Sequence, residues 1–390
     1  MKIVFNTRRR AQYSTRRLFF DGLARDMAAL GAQVALDDWD HYERYDVAIF
    51  MSSDLAGAGA RRANPRLAIG IVHASDNSPQ LLHETRQADF ILAGSIEERD
   101  YYLRHNPTIF LVHHIEEDWL AWKQHEDRQA VVLGYHGNRY HLEQCYPHVG
   151  RALEALAKEL PIQLRAIYDI RGLGPWRVGR PNVPIVDVQW QLGTLAQELL
   201  ATDIGIMPSC APITDSTRRR VIRTLLGTAS RHFGAYENDW LVRYKNCTNA
   251  GRAFVFMQLG IPVVADMTPE ACQVLQYGRT GFVALSAEGW YDALRRLAHS
   301  AALRTRIAEE AKRLFDGYFN RREIARRLLD ELQALVAGKL SGVAVPHIRL
   351  PPPDERVYWR QACRGAFRLS FLERAREAIA HWRKDRQQDA

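Results

Sequence analysis

Two runs decide the class of fold: Asp46-Val47-Ala48-Ile49-Phe50-Met51 and Leu67-Ala68-Ile69-Gly70-Ile71-Val72-His73. Each is an apolar stretch of strand length, without the polar alternation of a strand that is wetted on one face. Such runs belong to parallel strands covered by helices on both sides. The pattern repeats outward from them. Lys2 to Asn6, Gln33 to Leu36, Asp89 to Ala93 and Thr108 to Val112 read as further strands. Between them, Arg16 to Leu30, closed by Gly31, and Ser95 to His105 read as helices. The alternation predicts a doubly wound α/β unit over 1–125.

From Glu116 to Arg128 the periodicity lapses, and then it resumes. Ala130 to Gly134, Ile162 to Tyr168, Asp203 to Met207, Pro262 to Asp266 and Gly281 to Leu285 are strand-like. Gln144 to Leu160, Gly193 to Ala201, Arg252 to Leu259 and Trp290 to Phe315 are helix-like. A second α/β unit over 130–338 follows. Two segments stand apart. One is an arginine-bearing insertion over 211–244, with Arg218, Arg219, Arg220, Arg223, Arg231 and Arg243. The other is a tail over 339–390, a Pro-rich linker and then a basic amphipathic helix from about Arg360 to Arg386.

Composition agrees with this division. A chain of 390 residues that is 47% apolar is too long for one core. No run of about 18 uncharged apolar residues exists, and the start lacks a signal-peptide core, so a cytoplasmic protein is expected. The five cysteines (Cys145, Cys210, Cys247, Cys272, Cys363) are odd in number and widely spaced, which favours reduced packing residues over disulfides or a zinc site. A net charge of +8 favours anionic company: phosphorylated metabolites, nucleic acid or an acidic membrane surface. Nucleic acid is disfavoured because no zinc-finger spacing, aromatic-basic strand signature or basic disordered tail is present.

In an open α/β sheet, ligands meet the turns after the strands, where helix amino-termini supply free amides. Gly134-Tyr135-His136-Gly137-Asn138-Arg139 is one such turn, and its glycines would let backbone approach a phosphate. Lys245-Asn246-Cys247-Thr248-Asn249-Ala250-Gly251-Arg252 is another, ahead of a helix whose dipole favours a diphosphate. Neither a G-x-G-x-x-G nor a P-loop occurs. In the first unit, His73-Ala74-Ser75-Asp76 ends a strand, and His73 and Asp76 are the candidate catalytic residues, with the imidazole as base or hydrogen-bonding group. His113-His114 closes another strand. Trp190 falls near a nucleotide-base position but reads as a packed loop residue. Arg8-Arg9-Arg10 and Arg16-Arg17 form a charged loop suited to a phosphorylated or lipid-linked acceptor, or simply to solvent.

The run from Lys245 to Phe282, with Gly260-Ile261-Pro262-Val263-Val264-Ala265-Asp266 and Tyr277-Gly278-Arg279-Thr280-Gly281-Phe282, resembles the carboxyl-terminal part of family-four-like nucleotide-sugar glycosyltransferases of the GT-B fold. Gly134 to Asn138 and Asp203 to Pro208 extend the resemblance, and in the first unit Ala88 to Ser95 is the most similar stretch. The resemblance implies two facing Rossmann-like domains, 1–125 for the acceptor and 130–338 for the donor, followed by the helical tail. It implies a donor diphosphate met by Gly137, Asn138, Arg139, Lys245 and Arg252. It also implies retention at the anomeric carbon and no metal or other cofactor. Where many members carry two glutamates eight positions apart, this chain has Cys247 and Val255. Asn249 or Glu270 would then take the ribose role.

The expected substrates are a UDP- or GDP-linked sugar and a glycan, lipid-linked or small-molecule acceptor, in cell-surface glycan or glycolipid synthesis. The tail admits peripheral contact with the inner face of a membrane, or docking on the first domain. The rival readings are a sugar-nucleotide epimerase and a catalytically silent GT-B scaffold.

Overall fold

The computed structural model describes residues 1–10, 13–75, 78–116, 118–143, 148–209, 211–212, 242–243 and 249–338. Asp76, Lys245, the body of the insertion, the tail after Gly338 and every cysteine except Cys272 therefore lie outside the described residues.

Among those residues, two six-stranded parallel sheets form one compact unit, Met1–Cys210 with Tyr244–Ala344. The first sheet comprises β1 (Lys2–Asn6), β2 (Gln33–Leu36), β3 (Val47–Met51), β4 (Ala68–Val72), β5 (Phe90–Ala93) and β6 (Ile109–Leu111), in the spatial order β2-β1-β3-β4-β5-β6. The two runs that open the sequence argument are its central pair, β3 and β4, in register from Val47 opposite Ala68 to Met51 opposite Val72. All five residues of β3 are buried, as a strand covered on both faces requires.

The second sheet comprises β7 (Val131–His136), β8 (Ile162–Tyr168), β9 (Ile185–Gln189), β10 (Ile204–Met207), β13 (Val263–Asp266) and β14 (Phe282–Ala284). Its order is β14-β13-β10-β7-β8-β9. Between β10 and β13 stand two short antiparallel strands, β11 (Ala211–Pro212) and β12 (Val242–Arg243). These belong to the other compact unit, Ala211–Arg243 with Val345–Ala390. Strand β9 departs from the sequence reading, which saw only a loop before Trp190. It is an edge strand, its residues partly exposed around Asp187, so it lacks the apolar run by which the other strands announce themselves.

The helices explain how the two lobes stay together. Arg16 to Ala29 is continuous, as the periodicity predicts, but its first part, Arg16–Gly22, is wound as a π-helix. Helix Arg321–Val336 packs against Leu23–Ala29 of the first lobe, with Arg321 forked onto Asp26 at 2.9 and 3.0 Å. One apolar cluster joins Phe5, Phe19 and Met27 to Phe254, Leu259 and Leu328, so the inner faces of the two sheets share a core, while separate clusters cover the other face of each. The connecting segment is tied to the second lobe by Lys123 Nζ, 3.3 Å from Asp203, and by His125 Nε2, which donates to Gly260 O at 2.8 Å.

Candidate functional site

In the second sheet β7, β8 and β9 run outward one way, and β10 returns to the other side of β7. The crevice beyond the carboxyl ends of β7 and β10 is thus the switch point where α/β sheets hold ligands. His136 and Gly137 end β7, Pro208 and Ser209 follow β10, Asp266 ends β13, and helix Gly251–Leu259 begins between them.

Gly137 has φ +139°, open only to glycine, and a Cβ there would lie 3.0 Å from Tyr135 Oη and 3.1 Å from Arg252 Cδ. The β7 turn and the helix start therefore touch. Five helices of eight or more residues or with Pro at their start are capped by Ser78, Thr268, Ser286, Ser300 or Asn320, each accepting a backbone N–H. Helix Gly251–Leu259, like Leu192–Leu200, has no such cap bond from its cap residue. Its cap residue is Ala250, which has no side chain to offer. Asn249 Oδ1 takes the Gly251 amide at 3.0 Å, and the intrahelical ladder starts only with Phe254 N to Ala250 O.

Arg252 leaves this helix toward the crevice. Its Nη2 donates to Pro208 O at 2.9 Å and to Ser209 Oγ, and its guanidinium lies 5.7 Å from the Tyr135 ring centroid. Nη1 is buried and has no hydrogen-bond partner among the described residues. Burial pushes the guanidinium pKa down, against the pull of Tyr135 and Asp266. Asp266 is committed elsewhere, accepting from Ser209 N at 2.6 Å and Trp290 Nε1 at 3.0 Å. A positively charged group with an unmet donor and no ion pair among the described residues is what an anionic ligand completes. Beside it, burial lowers the His136 pKa to about 3, so this imidazole is neutral and its Nε2 donates to Arg252 O at 3.3 Å.

The other donor-side candidates are placed differently. Asn138 Oδ1 accepts from Tyr140 N at 2.9 Å and caps the short helix Arg139–Glu143. Arg139 lies 3.0 Å from Glu143 and donates to the Leu173 carbonyl, so it faces the β8 side. Glu270 points to the first lobe: its carboxylate meets His113 Nδ1 at 3.0 Å and Ile96 N at 3.3 Å, and its amide donates to Glu97 at 3.0 Å. Gly137, Asn249 and Arg252 come together; Asn138, Arg139 and Glu270 serve neighbouring structure.

At the facing edge of the first sheet, His73 has φ +50°, a left-handed backbone that costs a non-glycine residue about 1 kcal/mol. Bonds at both ring nitrogens hold it there: Nδ1 is 3.2 Å from Glu98 Oε1 and Nε2 is 3.4 Å from Thr15 Oγ1. Glu98 is 2% exposed and also takes the Gly94 amide at 2.7 Å. His114 packs at 5.6 Å from the His73 ring, and burial holds its pKa well below the ordinary value. The lobes are close here, since a Cβ on Gly251 would come within 3.0 Å of His114 O. Sequence reasoning passed over Glu98 and Thr15. The signal for Glu98 was present in Ser95-x-x-Glu98, the start signature of a helix, whose Ser95 Oγ takes the Glu98 amide at 3.2 Å. Trp190, half-buried at the end of β9, carries the Arg17 guanidinium 5.1 Å above its ring.

No family model matches the chain, and no curated protein matches it by sequence. Its fold is shared by solved structures. A sucrose-phosphate synthase from Thermosynechococcus elongatus superposes with a TM-score of 0.60 over 86% of this chain and 99% of its own, at 12% identity. HepE from Anabaena in complex with UDP-glucose gives 0.57 over 86% and 100%, at 13% identity. A glycosyltransferase from Rickettsia africae gives 0.56 over 86% and 98%, at 11% identity. The chain has the GT-B fold of two Rossmann-like sheets, as the resemblance implied. No helix among the described residues is long and apolar enough to cross a membrane.

Proposed function

We propose that the protein transfers a glycosyl group from a nucleoside diphosphate sugar, held by the second lobe, to an acceptor held by the first. The observation that carries this reading is the buried Nη1 of Arg252, without a hydrogen-bond partner among the described residues, at the β7/β10 switch point beside Gly137 and the start of helix Gly251–Leu259. The diphosphate would accept from Arg252 and from the first amides of that helix, with Lys245 of the preceding segment adding charge. These donors would stabilise the negative charge that grows on the departing nucleotide, and the closeness of the lobes at Gly251 and His114 would keep water from the sugar. HepE was solved with UDP-glucose in the same fold, which supports a nucleotide-sugar donor here.

Two stereochemical outcomes stand. The family resemblance favours retention, with His73 orienting groups. The Glu98 contact favours the other: a carboxylate on Nδ1 fixes the proton there and leaves Nε2 as the basic nitrogen, the arrangement of a general base that would deprotonate an acceptor hydroxyl and give inversion.

Calorimetric titration with UDP, GDP and UDP-glucose tests the donor site. Binding to at least one, weakened at least about tenfold in Arg252→Ala, is expected from the loss of a charged hydrogen bond. Absence of binding to all three would favour the silent scaffold, and conversion of the sugar without transfer would favour the epimerase.

A further inference from the structure

The loop after β1 and the first turn of the helix that follows hold five arginines, and the structure divides them into two groups. Arg16 is forked onto Asp37 and bonded to Asp21 at 2.9 Å, and Arg17 pairs with Glu116. Both are structural. Arg8, Arg9 and Arg10 are exposed, and none makes an ion pair among the described residues.

The three are nonetheless built into the fold. Arg8 lies over the Trp39 ring at 5.3 Å, and Arg9 over the Tyr13 ring at 5.7 Å. Stacking on a ring face restrains a guanidinium while leaving its N–H edge outward for an in-plane acceptor. The backbone beneath them is pinned. Thr7 N donates to Asp37 at 3.2 Å, Arg8 N to Asp54 at 3.4 Å and Arg9 N to Thr7 Oγ1 at 3.1 Å, while Arg16 Nη1 donates to Thr7 O at 3.0 Å. Asp37, forked by Arg16, and Asp54 are the carboxylates that accept from this backbone, and Asp54 also lies close enough to feel the charges of Arg8 and Arg9. The loop also returns to the candidate catalytic edge, where Thr15 touches His73. Because all strands of the sheet are parallel, the turn after β1 and His73 after β4 lie on one edge.

We propose that the acceptor carries a phosphate group and that Arg8, Arg9 and Arg10 receive it beside His73. The proposal rests on the glycosyl-transfer reading and names its substrate class. Three exposed guanidiniums with no ion pair among the described residues match a phosphoryl oxyanion, which accepts forked bonds, better than a neutral hydroxyl-rich acceptor, which would leave the charges unmet. The phosphate can belong to a soluble sugar phosphate or to a lipid-linked one.

The test is run in the Arg252→Ala background, so that the donor crevice does not contribute. Probes are glucose 1-phosphate, methyl α-glucoside as the neutral control, and phosphatidylcholine vesicles with and without undecaprenyl phosphate. Glucose 1-phosphate or the phosphate-bearing vesicles should bind, and added Arg8→Ala, Arg9→Ala and Arg10→Ala changes should weaken that binding at least about tenfold, since each charged bond lost contributes measurably. Lysine at the same three positions should restore part of it. Binding to glucose 1-phosphate identifies a soluble acceptor, and binding only to the vesicles a lipid-linked one. The proposal is overturned if neither phosphate probe binds, if the neutral glucoside binds as well, or if the triple change leaves binding intact in a chain whose melting temperature is unaltered. UDP binding by the unmodified chain reads the donor site separately, so failure of the glycosyl-transfer reading would be seen apart from failure of the acceptor site.

Discussion

His73 Nδ1 lies 3.2 Å from Oε1 of Glu98, and the other oxygen of that carboxylate is occupied by the Gly94 amide. The pair joins the ends of β4 and β5 at the crevice edge and, with the proton on Nδ1, leaves Nε2, which meets Thr15 Oγ1 at 3.4 Å, as the basic nitrogen. If His73 is the base, His73→Ala lowers kcat by roughly 10²- to 10⁴-fold. Glu98→Gln lowers kcat less, with KM little changed. The anomeric proton coupling in the product, read by NMR, decides between inversion and retention; a retained configuration removes the base role.

Gly137→Ala introduces a side chain where φ is +139° and where Arg252 Cδ would be 3.1 Å away. We expect a loss of stability of about 1 kcal/mol or more from backbone strain, together with weaker UDP binding as Arg252 is displaced. Denaturant melts and titrations on one preparation separate the two effects. Unchanged UDP affinity would detach the β7 turn from the donor site.

Arg321→Ala should destabilise by about 3 kcal/mol, because Asp26 would be left largely buried without its partner. The side chains are 8% and 19% exposed, which is what raises the expectation above that for a surface pair. A double-mutant cycle with Asp26→Asn checks it: the combined change should cost less than the sum of the two. Strict additivity would show that the fork does not couple the helices.

Acid should weaken the fold through His136. Its folded pKa, about 3, lies below the ordinary value of 6.5 because burial disfavours the charged ring. Between those pH values the unfolded chain binds the proton and the native one does not, so stability is full above about pH 6.5 and falls by up to about 1.4 kcal/mol per unit as pH drops toward 3. Urea unfolding at pH 7.5 and 5.0 should show a smaller loss in His136→Gln than in the parent. An equal loss in both would assign the acid sensitivity to other groups, among them His114, whose pKa burial also lowers.

Legibility followed burial. β3 and β4 could be read directly because strands covered on both faces must be apolar throughout, whereas β9 hid because an edge strand keeps polar residues such as Asp187. Helix 251–259 and its lead-in were picked out as an anion site, and Gly137, Asn249 and Arg252 do converge there. Arg139 belonged to the other turn, Gly134 to Arg139; its pair with Glu143 is a local i,i+4 contact, but its bond to the Leu173 carbonyl depends on tertiary structure that no local pattern specifies.

The sequence by itself determined two α/β units, the strands at their centres and the turns where ligands would meet them, because apolar periodicity and strand-end glycines are local properties. Only the tertiary structure decided that Glu98 serves His73, that Arg252 has one nitrogen without a partner among the described residues, and that Arg321 reaches Asp26 across 295 positions of chain. Those contacts depend on loop closure and on competition among many possible partners for each charge, and neither is written in any short stretch of residues.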